Sequence, residues 1–366
     1  MTKRIMALDY MRILGMLAVV GIHIGALTVS NADFPISLFV LYEVFSRYGI
    51  PIFFFISGFG IFRKISLNER FNYTKFTTQA TFKLILTYVG WCAFYSLYFL
   101  DNINTQIIIE TIFSEDFFYA VTCGYAGYHL YFMLLLIIFY LLMPLWIAFL
   151  KMISRYPTLS FAILFSFQLW FNKWGLHNIN PIGDITYDKY LQHQVNWICI
   201  YYISTFMLGA YIGNTSKQTI PWLIKKQKLI FTILLLSILY LTQQIYLAMF
   251  INNLTLLELA YTLHQLSSPG WFYCTSFIVS SFIFLIQYQP TNKLLNNILN
   301  FIASSSNIVY FIHPVFLYHI NKFTDQNSIV ITAKKSLAIY LITIISSLLV
   351  SFIYKKIINI TRTLKS

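Results

Sequence analysis

Along its 366 residues the chain strings long apolar runs between short polar joints. A bilayer core of about 30 Å takes roughly 20 apolar residues per helix. Ten stretches of that kind stand out, near 7–28, 38–62, 79–100, 129–150, 157–172, 196–213, 228–249, 271–288, 301–321 and 335–355. They predict an all-α polytopic membrane protein with about ten transmembrane helices, of which the fifth and sixth are short. The first run is long, carries Asp9, Arg12 and His23, and has no small-residue cleavage site, so it reads as a retained helix rather than a signal peptide. No periodic repeat or low-complexity linker interrupts the pattern, and no soluble appendage flanks it, so residues 1–366 are expected to form one transmembrane domain.

Composition sharpens this picture. Apolar residues make up 58% of the chain and charged residues 10%, the mean hydropathy is +0.68, and a water-soluble fold is excluded. The net charge of +13 would suit nucleic acid, anionic lipid or cytoplasmic loops, and the apolar content selects the loops, with no nucleic-acid partner. Basic residues then set the orientation. With the N-terminus inside, cytoplasmic segments collect Lys3, Arg4, Arg63, Lys64, Arg70, Lys75, Lys83, Lys151, Arg155, Lys217, Lys225, Lys226, Lys228, Lys293, Lys355, Lys356, Arg362 and Lys365. External segments hold Arg47, Lys173, Lys189, Lys322, Lys334 and Lys335, so ten crossings with both termini cytoplasmic satisfy the positive-inside rule.

The longest external segments are 101–128 and 173–195. The first carries Asp101, Glu110, Glu115 and Asp116 without a basic residue, which fits either a surface facing a substrate or an acidic, solvated loop. Cys92, Cys123, Cys199 and Cys274 are scattered without metal-ligand spacing and offer no disulfide framework.

Ionisable side chains at bilayer depth cost a few kcal/mol each and mark function by default. On a helix turning about 100° per residue, Arg12 and His23 differ by roughly 20° and share a face, about 16 Å apart along the axis. Asp9 joins that stripe three residues before Arg12. An interfacial ion pair with snorkelling side chains is the simpler account of Asp9 and Arg12. His23, aligned with a buried arginine, is a candidate base, because imidazole is neutral near pH 7 and takes a proton.

His129 sits at the external mouth of the fourth run, and His313 lies halfway along the ninth beside Pro314, which removes a backbone donor and frees a carbonyl. His313 either faces a cavity with His23 or bonds a neighbouring helix. His177, His193, His264 and His319 read as interface or loop residues. Ser57, Gly58 and Gly60 in the second run are small enough to let another backbone approach. Glu43 and Arg47, four apart, read as a local pair on an external amphipathic turn rather than as a substrate clamp.

With these residues in place, the chain resembles the acyltransferase-3 family of integral membrane acyltransferases, bacterial proteins that O-acylate cell-surface and secreted glycans. The segment LDYMRILGMLAVVGIHI at 8–24 resembles the family's opening helix, with Arg12 and His23 in its Arg-x10-His spacing. PIFFFISGFGIF at 51–62 is similar to its second helix, HLYFMLLLIIFYLLMPL at 129–145 to its His-Leu-aromatic-Phe segment, and FMLGAYIG at 206–213 and SNIVYFIHPVF at 306–316 to later helices. The likeness spans the chain. It departs where the third helix begins: the family commonly carries an Arg-x-x-Arg pair taken to hold the anionic donor, and FTTQATFKLILTY at 76–88 leaves only Lys83 in place.

The resemblance implies acyl transfer, most often acetyl, from cytoplasmic acyl-CoA (acetyl-CoA) to a hydroxyl of a cell-surface or lipid-linked glycan at the cell membrane, with no metal. It casts His23 as the base and Arg12, supported by Asp9, as the anchor of the donor. His129, Tyr131, His313, Ser57 and Lys83 would position donor or acceptor. A polysaccharide exporter or flippase is the alternative that many crossings with midplane polar residues also suit, and a silent scaffold is the third.

Overall fold

The computed structural model describes residues 5–363 apart from 30, 32, 101–103, 180–182, 184, 289 and 291. Lys3, Arg4, Asp101 and Lys365 of the charge pattern therefore lie outside the described residues. Among the described residues every regular element is a helix. Seven are long and apolar enough to cross a membrane: α1 (Met6–Thr28), α2 (Ile36–Phe62), α3 (Tyr73–Tyr98), and, after four further helices introduced below, α8 (Gln227–Ile251), α9 (Ser268–Gln287), α10 (Lys293–Gln326) and α11 (Ala333–Thr363). The chain is thus an all-α, multi-pass membrane protein.

The other helices show where the expected ten continuous spans change. The stretch at 129–150 is not one rod: α4 (Tyr131–Leu141) and α5 (Met143–Arg155) meet at an angle of 71°. Pro144 explains the break. A proline inside a helix clashes with the carbonyl four residues earlier, whereas at the first turn of a new helix its missing N–H is not needed, and here it sits in the first turn of α5.

The fifth and sixth stretches become α6 (Pro157–Asn178) and a 3-10 turn at Cys199–Tyr202 leading into α7 (Ile203–Asn214). Neither is among the membrane-length apolar helices. Buried Gln168 of α6 joins them: its amide donates to Asn172 and to the Ile200 carbonyl, and its Oε1 accepts the Ser204 N–H at 3.0 Å. A first-turn N–H without an intrahelical partner is thereby satisfied.

Two compact units result, Met1–Ile56 with Ser216–Ser366, and Ser57–Thr215. In the first, α1 is central and packs on α2, α9, α10 and α11, with Val20 and Ile24 in a core shared with Phe39, Leu241, Tyr273 and Leu317. The outward faces of α8 and α11 carry exposed Leu235, Leu239, Leu341 and Leu349, as lipid-facing helices should. Local sequence sets several boundaries: Asn292 caps α10 by accepting from Leu294 and Leu295, and Ser267 caps α9 ahead of Pro269.

In the second unit Gly58 has the close-approach role expected of it, because a Cβ there would overlap the Phe206 carbonyl oxygen of α7. Gly60 does not share that role: a Cβ there would meet nothing within 4 Å. Gly58→Ala is therefore expected to destabilise by about 1–3 kcal/mol through overpacking, and Gly60→Ala to be neutral or slightly stabilising. Thermal unfolding in detergent separates the two, and equal melting of both variants would contradict the packing account.

Candidate active site

Two histidines predicted from separate helices come together in the first unit. The rings of His23 (α1) and His313 (α10) stack with centroids 5.3 Å apart and planes 21° from parallel. Helices α1 and α10 run alongside in the same sense, since Tyr10 and Ile13 pack near Ala303 and His23 near His313. His313 is fully buried, whereas His23 keeps part of its surface accessible. The fixed ring thus backs the reachable one.

Helix α10 continues through Pro314 without a break. The proline still leaves the Tyr310 carbonyl without its usual donor, and the His313 imidazole lies against the carbonyls of Val309 and Tyr310. Its Nδ1 is 3.0 Å from the Val309 oxygen. A carbonyl has no hydrogen to give, so Nδ1 carries the proton and Nε2 the lone pair. This local bond fixes the tautomer of the buried ring.

A second polar cluster in this unit is one that sequence reasoning misread. Glu43 and Arg47 do pair at four-residue spacing, but inside a span rather than on an external amphipathic turn. Helix α2 contains a π-helical turn at Val40–Val44, followed by a looser turn over 45–48. Irregular backbone at this depth must find internal partners, and side chains supply them. Ser46 Oγ donates to the Leu41 carbonyl (3.0 Å), Arg47 Nε to the Glu43 carbonyl (3.0 Å), and Tyr273 of α9 to the Phe45 carbonyl (2.9 Å).

The Arg47 guanidinium also donates to Glu43 Oε1, the Ala260 carbonyl (3.4 Å) and Gln265 Oε1 (3.5 Å). Glu43 rests directly on α1: a Cβ on Gly25 would lie 2.7 Å from Glu43 Oε2 and 3.0 Å from its Cβ. Only glycine permits that approach, on the face of α1 turned away from His23. The signal that could have revealed this was the unbroken apolarity on both sides of the pair, which places residues 43 and 47 within a membrane-length helix.

The remaining predicted residues are placed as follows. Arg12 Nη1 bonds Asp9 Oδ1 at 2.8 Å, with the arginine side chain 43% exposed and the aspartate buried, the arrangement expected of a snorkelling pair. Ser57, Lys83, His129 and Tyr131 belong to the second unit. Lys83 is exposed on α3, and Ser57 and Tyr131 are half-buried. His129 is buried edge-on against Tyr95, with ring centroids 5.1 Å apart. Described residues of the two predicted external segments meet: Lys189 bonds Asp116 at 3.2 Å and lies 4.0 Å over the Tyr119 ring, while His193 stacks on Tyr125.

Residues 5–356 match the family model described as an acyltransferase domain. No curated protein and no solved structure gives a significant match.

His264, in the turn before α9, accepts the Leu266 N–H at Nδ1 (3.1 Å). Burial, with the nearby Arg47 charge, pushes its pKa down to about 4. Between about 6.5 and 4 the unfolded chain takes up a proton that the folded one refuses, so stability is expected to fall as pH drops through that window. Unfolding temperature measured across it should decline in the native protein and less steeply in His264→Gln; equal slopes would refute this.

Proposed function

We propose, from the premise that this chain belongs to the acyltransferase-3 family, that it transfers an acyl group, most simply acetyl, from cytoplasmic acyl-CoA to a hydroxyl of a cell-surface or lipid-linked glycan. The observation that carries this reading is the His23–His313 stack in the family-matching chain. It supplies a reachable imidazole held by a buried one.

A sugar hydroxyl is a weak nucleophile until its proton is taken. In the proposed reaction His23 removes that proton as the hydroxyl oxygen bonds to the thioester carbonyl carbon. The tetrahedral species then collapses, the carbon–sulfur bond breaks, and the proton passes from the imidazolium to the departing thiolate. The products are an O-acyl ester and free CoA.

His313 orients the His23 ring. Arg12, steadied by Asp9, attracts the anionic donor from the cytoplasmic side, and exposed Lys83 is a second basic residue proposed for the donor in place of the Arg-x-x-Arg pair. His129, Tyr131 and Ser57 are proposed to contact the acceptor. The chain acts in the cell membrane with both termini cytoplasmic, as the distribution of basic residues favours.

The test uses purified protein in detergent with labelled acetyl-CoA and envelope glycan. His23→Ala is expected to lower transfer by about 10²–10⁴-fold, the usual worth of a general base. His313→Ala should retain more activity than His23→Ala, because it loses orientation rather than the base. Undiminished transfer by folded His23→Ala would rule out the mechanism.

A further inference from the structure

Between α3 and α4 the second unit makes two short helices, Thr105–Ile112 and Glu115–Cys123. Their acidity suits a substrate-facing surface or a solvated loop, and neither role uses the apolar residues they carry. The first of them has no buried residue. Ile109 is exposed, and Phe113 at the C-terminal end is 84% exposed, more than any other large apolar side chain among the described residues. A helix of eight residues does not hold itself together in water. No protein core covers this one, so its apolar side chains need another phase.

We propose that Thr105–Ile112 is an interfacial helix, lying in the plane of the bilayer with Ile108, Ile109, Ile112 and Phe113 sunk in the outer leaflet. Its position is the first support. The helix follows the end of α3 at Tyr98 and packs beside that span, so it lies where the chain leaves the membrane, on the outer side by the distribution of basic residues.

Periodicity is the second support. At about 100° per residue, Ile108, Ile109 and Ile112 fall within an arc of about 100°, with Phe113 at its edge. Gln106 and Glu110 turn away from that arc and bond each other, Nε2 donating to Oε1 at 2.8 Å. An apolar face backed by a polar one holds a helix along the interface rather than across it. Continuity is the third. Exposed Leu86 and Phe94 belong to the lipid-facing side of α3, and exposed Phe99, Ile108, Ile109 and Phe113 extend that apolar surface past its end.

Charge narrows what the face meets. Residues 101–128 include Glu110, Glu115 and Asp116 and no Lys or Arg, so anionic headgroups are repelled and attachment is by apolar insertion beneath them. Ser114 accepts the Phe117 N–H at 3.0 Å and so caps Glu115–Cys123 directly on the anchored turn. Asp116 and its partner Lys189 are thereby held at headgroup level.

The experiment uses the full-length protein in nanodiscs of phosphatidylcholine alone, with p-benzoylphenylalanine in place of Phe113 or, in a separate preparation, of Gln106. The label keeps an aromatic ring at position 113 and samples the polar face at position 106. After irradiation, the peptide containing position 113 should gain the mass of one phospholipid, and the adduct should be lost at position 106. Equal lipid labelling at both positions, no lipid adduct at 113, or a cross-link from 113 to a second copy of the chain would overturn the inference.

Amide hydrogen exchange in the same nanodiscs gives a second reading. In Ile109→Ser/Phe113→Ser the amides of 105–112 should exchange at least about tenfold faster than in the native protein, because two apolar side chains lose their burial, with α3 unchanged. Native protection of 105–112 in that variant would also overturn the inference. Neither measurement involves catalysis, so the acyl-transfer reading stands or falls separately.

Discussion

Inside a bilayer no water is at hand to complete a hydrogen bond, so each backbone carbonyl and each charge must be answered from within the protein. The segment from Val40 to Tyr48 shows how this constraint shapes the first unit. Its π turn and the loose turn after it disturb the regular ladder, and Ser46, Arg47 and Tyr273 repair it at Leu41, Glu43 and Phe45. Arg47 is then already anchored through Nε, and its charge calls for Glu43. The carboxylate in turn needs room, which Gly25 gives by bringing α1 close. One irregular stretch of α2 thus recruits a cation, an anion and the helix that carries His23.

The same logic operates on α10 with a different device. Pro314 leaves a carbonyl without its helical donor, and the His313 imidazole settles against that part of the backbone. In doing so it acquires a fixed tautomer and a fixed plane, on which His23 stacks. In both helices the departure from ideal geometry is what makes a polar side chain tolerable. Regular helices such as α8 and α11 carry exposed leucines on their outward faces.

How far the sequence could be read depends on the range of the interaction concerned. The Asp9–Arg12 pair is a three-residue relation on one helix and follows from spacing alone. Helix α1 itself follows from its apolar length. The meeting of His23 with His313 could be named as a possibility but not decided, because 290 positions separate them and only packing brings α1 beside α10. Pro144 was visible, yet whether a proline kinks a span or splits it into α4 and α5 depends on which face the neighbours occupy. The stretch at 196–213 looked like a span because it is apolar, although its first turn is tied as a 3-10 element to Gln168, thirty-odd residues upstream. Glu43 and Arg47 were read by their charge as external, when their mutual pairing is what allows them inside.

The four cysteines are all free and all buried. A thiol reacts through its thiolate and only where a reagent can reach it, so sealed thiols give alkylating reagents little to attack. A cysteine introduced on a surface loop would then report which side of the bilayer that loop faces without first stripping the native four.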